Sequence, residues 1–162
     1  TMNMEIAGHE FFAPDGKSMW YDLQTPRGVD FWVAGYEFAT GKRTWYHLDR
    51  NEWSVHFNIS PDGKLFAGDG GDSEMVAHAP DGKWLYLFPP ERVPDFAGIR
   101  NPDSGGLVDA GVFRAERLVN MAKHNYQLEP NVHFTPDMKW IVFRSNMHGP
   151  MHVYAVEIAK AR

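Results

Sequence analysis

The stretch His124–Asn146, HNYQLEPNVHFTPDMKWIVFRSN, decides how the fold is read. NVHF precedes the turn TPDMK, and the run WIVFRSN follows it, which reads as strand, turn and strand. Side chains alternate along a strand, so Asn131 and His133 share one face of NVHF, with Val132 and Phe134 on the other. Glu129 joins the polar face if the strand begins two residues earlier. With His124 and Gln127 just ahead, five possible metal ligands crowd into this segment. A polar row on an innermost strand is out of place in a packed core and natural along a wet central channel.

The same unit recurs upstream. Four turns share one pattern: Ala13-Pro14-Asp15-Gly16-Lys17, Ser60-Pro61-Asp62-Gly63-Lys64, Ala79-Pro80-Asp81-Gly82-Lys83 and Thr135-Pro136-Asp137-Met138-Lys139. Pro presets φ, Asp can accept from its own downstream backbone, and Gly tolerates positive φ, so each reads as a hairpin turn. Met138 breaks the pattern, and a positive φ there would cost roughly 1 kcal/mol. The first, second and fourth turns follow runs of one kind (HEFF, VHFNI, NVHF) and are assigned to inner hairpins. The third belongs inside the second unit. Three units result, at about 5–50, 53–123 and 124–162. In the second, Pro89 to Gly106 reads as loop and insertion, and the chain returns through GVFRAERLVNMA, in which ERLVNMA fits a short helix and RAERLV equally an outer strand. The third has three strands and no fourth.

Repeated four-stranded antiparallel units of this length point to an all-β fold built of β-propeller blades, with a sandwich as the alternative. Natural propellers have roughly four to eight blades, so three form an incomplete ring. Aligning the units on the turn Asp adds a functional register. Six residues before it stand His9, His56 and Asn131, and four before it stand Phe11, Asn58 and His133. Innermost strands line a propeller's channel, so these positions converge at one end. Imidazoles beside a carboxylate suit Mn²⁺, Zn²⁺ or Fe²⁺, with Ca²⁺ still open. His47, His78, His148 and His152 share no such register and read as surface or structural residues. Gly68-Asp69-Gly70-Gly71-Asp72 lacks both the P-loop lysine and EF-hand spacing, and reads as a bulged strand end near the channel mouth.

Composition bounds the rest. A chain of 162 residues, 43% apolar, can bury one sizeable core, and six Trp, six Tyr and eleven Phe favour strands. No apolar run is long enough to span a membrane as a helix. The net charge of −5 carries no basic stripe, which argues against nucleic acid. Without cysteine there is no disulfide or thiol chemistry, and the absence of GxSxG leaves no support for a serine hydrolase.

His9-Glu10-Phe11-Phe12-Ala13-Pro14-Asp15-Gly16, His56-Phe57-Asn58 running through Ser60-Pro61-Asp62-Gly63 to Gly68-Asp69-Gly70, and Phe134-Thr135-Pro136-Asp137 resemble the oligogalacturonate lyases. The resemblance implies a seven-bladed propeller that degrades pectin fragments by β-elimination, with this chain matching the family's C-terminal part. It implies a divalent metal, usually Mn²⁺, held by three His and one Gln. His56 falls on one of those His, and Glu129 and Asn131 replace the other two. The Gln position aligns with Tyr126, with Gln127 one residue away. His9 falls on the catalytic base, whose partner arginine lies on an earlier blade.

The expected metal set is therefore His56 and Glu129 with Gln127 or His124. Asn58, Asn131 and His133 are expected to contact an acidic oligosaccharide. The isolated chain is expected to self-associate or to pair with missing blades, and to be inactive alone. The competing reading is a non-catalytic, TolB-like binding or accessory propeller, which the generic SPDGK turns would also fit.

Overall fold

The computed structural model describes residues 5–72, 83–93 and 108–158. The third turn pattern up to Gly82, His78, and residues 94–106 of the expected insertion lie outside that range.

The first unit is an antiparallel meander of β1 (Ile6–Phe12), β2 (Ser18–Gln24), β3 (Phe31–Glu37) and β4 (Arg43–Leu48). A 3₁₀ turn at Arg50–Glu52 leads into β5 (Phe57–Ile59), β6 (Phe66–Gly68) and β7 (Trp84–Phe88). Two strands then leave the second sheet. β8 (Pro90–Arg92) and β9 (Asp109–Phe113) pair with each other, and β9 runs parallel to β4, so the first sheet has six strands. β10 (Glu116–Asn120) returns to β7 and completes a second sheet in the order β10-β7-β6-β5. The third sheet is β11 (His133–Phe134), β12 (Trp140–Ser145) and β13 (His152–Glu157).

Two sequence expectations change here. Pro89 to Gly106 is not all loop, because Pro90–Arg92 is a strand. GVFRAERLVNMA does not return as one strand. Its first part joins the first sheet, and of the two readings of its second part the outer strand is the one found, at Glu116–Asn120. Phe113 supplies the reason: it is buried among the rings of Tyr46, Phe66 and Phe88, between the first two sheets. Gly111 permits the close approach, since a Cβ there would sit 2.5 Å from the Glu91 carbonyl.

The turn chemistry is as the residues imply. Asp15, Asp62 and Asp137 each accept from the backbone N–H two residues on, at 3.0–3.1 Å. Gly16 and Gly63 have φ of 68° and 71°, and Met138 is forced to 58° in the matching place. Met138 is 36% exposed and belongs to neither core layer, so its side chain offers little to offset the strain. Met138→Gly should raise stability by about 1 kcal/mol in a denaturant titration; a loss of stability would show that the strain is absent.

The core has two layers. The first fills the space between the first two sheets with Phe31, Val33, Trp53, Phe57, Phe66 and Phe88 among others. The second, including Leu85, Leu87, Ile141 and Phe143, lies between the second and third sheets. The middle sheet is covered on both faces, so β7 reads WLYLF without alternation. The outer sheets each have one face packed against it, and β13 alternates accordingly. The inner strands touch in the order β1, β5, β11, which brings the aligned polar positions together.

Candidate functional site

At one end of these inner strands lies a cleft of about 140 Å³, lined by His9, Glu10, Phe11, His56, Asn131 and His133 among others. His9 reaches it through a β-bulge. The pairing of β1 with β2 slips between Gly8 and Phe11, and His9 takes φ of 50°. Bulges re-aim side chains in this way, at the expense of local strain. His56 stands just before β5, and Asn131, with φ of 51°, precedes β11. Asn131 is not itself in a strand, yet Asn131 and His133 line the cleft while Val132 and Phe134 pack into the second core layer, as the alternation implied.

Each histidine is held by a buried aspartate thirteen residues later. His9 Nδ1 lies 3.0 Å from Asp22 Oδ1, and His56 Nδ1 lies 2.8 Å from Asp69 Oδ2. Both aspartates are about 1% exposed. The two imidazoles meet edge to face, with centroids 5.0 Å apart. Asp69 also accepts the backbone N–H of His56 at 3.0 Å and that of Asn131 at 3.4 Å, so it ties the second sheet to the third. The Tyr126 hydroxyl donates to the Asp69 carbonyl at 3.2 Å, and burial raises its pKa.

The electrostatics follow from this arrangement. Burial pushes the Asp22 carboxyl up to about 6, against the pull of His9. At His56 burial disfavours the cation, yet the Asp69 hydrogen bond and the nearby carboxylates outweigh it and raise the pKa. One of those carboxylates is Glu129, whose Oε2 lies 3.8 Å from His56 Nε2. The segment carrying Glu129 is fixed from the third sheet. Arg144 donates from Nε to the Glu129 carbonyl at 2.6 Å and from its backbone N–H to the Pro130 carbonyl at 3.0 Å.

The donor set at His56 and Glu129, imidazole nitrogen with carboxylate oxygen, has the chemistry of a divalent-cation site. The two side chains approach one another, and Asn131 lies beside them. Among the described residues no group of three or more His, Asp or Glu is arranged to hold a metal ion, so any cation here would need amides, water or substrate to complete its shell.

His124 is a correction to the expected ligand set. It is buried, its Nε2–H donates to the Leu128 carbonyl at 2.6 Å, and its Nδ1 faces the Ser145 hydroxyl at 2.9 Å. Both nitrogens are thus occupied within the third unit, and burial lowers its pKa, which keeps the ring neutral. Gln127 lies in the exposed turn after Asn125, whose side chain accepts its backbone N–H at 3.0 Å. Asn58 and His133 do meet, with Asn58 Nδ2 3.5 Å from His133 Nδ1, and Asn58 Oδ1 also accepts the Phe134 N–H at 3.1 Å. Asn58 therefore bridges the second and third sheets, and the cleft is lined by its neighbour Phe57 and by His133 instead.

Sequence reasoning missed Asp22 and Asp69. The signal was available as the identical spacing of His9 to Asp22 and His56 to Asp69. In the third unit the same step from Asn131 reaches Arg144, which hides the repeat.

No protein family and no curated protein matches the sequence. Solved structures do. An oligogalacturonate lyase in complex with manganese is similar at a TM-score of 0.68 and 22% identity, over 97% of this chain and 36% of that one. An oligogalacturonate lyase from Vibrio parahaemolyticus gives 0.69 and 20%, over 99% and 38%. TolB from Acinetobacter baumannii gives 0.59 and 16%, over 98% and 31%. The chain thus spans little more than a third of the lyases it matches. At these identities the likeness is one of fold, and that fold is an incomplete β-propeller, shared with oligogalacturonate lyases and with TolB.

Proposed function

We propose that the chain carries the catalytic end of a lyase that cleaves uronate-containing, oligogalacturonate-like chains by β-elimination. The supporting observation is the pair of imidazoles at 5.0 Å, each anchored through Nδ1 by a buried carboxylate, over an open polar cleft. The C5 proton of a uronate is α to a carboxylate and only weakly acidic, so its removal needs a positioned neutral base and a counter to the charge that develops. His9 is the base. As it takes the C5 proton, the C5–H electron pair forms the C4–C5 double bond. The 4-linked sugar then leaves with the C4–O electrons, giving an unsaturated uronate end. Bound at His56 and Glu129, a divalent cation, Mn²⁺ by analogy with the manganese-bound lyase, would counter the carboxylate's growing negative charge. Asn131 and His133 border the space for the sugar.

Metal analysis after chelation and Mn²⁺ re-addition tests the cation assignment. Glu129→Ala should abolish binding, because it removes the ligand that carries net charge. Unchanged stoichiometry in a His56→Ala/Glu129→Ala variant would refute it.

A second reading, a TolB-like binding propeller, draws on the likeness to TolB and on the lack of a third acidic or imidazole ligand among the described residues. It predicts bound sugar without an unsaturated product.

The lyase reading also has the 162 residues working as part of a larger ring. β13 ends its sheet, and Met151 and Val153 are 58% and 73% exposed. A strand edge left unpaired among the described residues, beside apolar side chains, favours association. Sedimentation should show self-associated species with little lyase activity, and an active monomer would contradict this.

A further inference from the structure

We propose that Asp22 is a positioning residue that holds His9 in the tautomer protonated at Nδ1, leaving the Nε2 lone pair as the basic atom. This rests on the lyase reading for its purpose, though not for its geometry.

The two His–Asp pairs share a spacing but do different jobs. Asp69 accepts from two backbone N–H groups as well as from an imidazole, and so joins two sheets. Asp22 sits on β2 opposite Gly8, and the side chain that meets its carboxylate is His9. A carboxylate acts only as an acceptor, so the nitrogen 3.0 Å away must carry the proton. Free neutral histidine in water favours the opposite tautomer, with the proton on Nε2. A buried acceptor at Nδ1 reverses that preference, because turning the lone pair toward Asp22 would set two acceptors face to face without water between them.

The backbone agrees. The bulge and the positive φ place His9 in a conformation that a non-glycine residue adopts at some cost. The Asp22 contact is what that conformation achieves. The carboxylate is also poised for such a role, since burial lifts its pKa to about 6. A hydrogen bond from an imidazole offsets part of its desolvation. The same logic underlies catalytic triads, in which a buried aspartate fixes the histidine tautomer and its replacement by Asn installs the wrong one.

The test is a long-range ¹H–¹⁵N correlation spectrum of the histidine-labelled chain at about pH 8, where an ordinary imidazole is neutral. The expected result is a His9 ring protonated at Nδ1. In Asp22→Asn the amide can donate to Nδ1, and the His9 pattern should switch to Nε2–H while the signals of His124, buried and bonded within the third sheet's unit, stay in place and report an intact fold. A wild-type His9 ring protonated at Nε2 would overturn the proposal, as would an unchanged His9 tautomer in the variant. If the variant fails to fold, the wild-type spectrum alone still decides.

Turnover separates this proposal from the lyase reading. In the chain joined to the blades that complete its ring, Asp22→Asn should lower kcat about tenfold or more with KM little changed. A normal kcat in that variant would overturn the positioning role. No elimination by the wild type, alongside the expected tautomer, would remove the lyase reading and leave the Asp22–His9 assignment standing.

Discussion

Replacing His9 with Asn should lower the turnover of uronate chains by the completed ring about 10²-fold or more. The size follows from the role. An asparagine can keep a hydrogen bond to Asp22 and fill most of the space, but it cannot accept a proton from carbon. On the lyase reading, the variant should bind sugar and Mn²⁺ nearly as well as the wild type, because His9 bonds Asp22 rather than Glu129. The loss should fall on kcat rather than KM. A near-normal rate would move the base elsewhere, and a parallel loss of metal would make His9 a ligand.

The largest expected effect on stability is at Phe66. This residue is 1% exposed and stands where the first two sheets meet, with ring centroids 4.8 Å from Trp20, 5.1 Å from Phe113 and 6.0 Å from Tyr46. Trp20 also lies so close over Gly35 that a Cβ there would sit 2.6 Å from the indole, which marks how tightly this cluster is packed. Phe66→Ala should therefore cost about 3–5 kcal/mol in urea unfolding, a large share of the roughly 5–15 kcal/mol typical of a domain. A loss below about 1 kcal/mol would mean that the sheets do not pack through this cluster.

The hairpin turns were legible in the sequence because their determinants are local. Pro61, Asp62 and Gly63 each act on their own backbone, and the same chemistry recurs around Asp15 and Asp137. The register of His9 with His56 was legible for a related reason: a repeated turn transmits a repeated position. The pairing of β9 with β4 was not, because it depends on Phe113 entering a space made by two other sheets. His124 shows the opposite error. It stands close in sequence to Gln127 and Glu129, yet Ser145, on a strand reached only after the next turn, draws it into the interior. Asp69 looked like part of a glycine-rich loop, while its buried carboxylate in fact serves His56 and Asn131.

The measurement that bears most directly on the lyase reading is the ultraviolet absorbance of an unsaturated uronate. Oligogalacturonate and Mn²⁺ would be supplied to this chain joined to the blades that complete its ring. A steady rise that disappears in His9→Asn is the predicted result. Bound oligosaccharide with no rise in absorbance from the wild-type protein would contradict it.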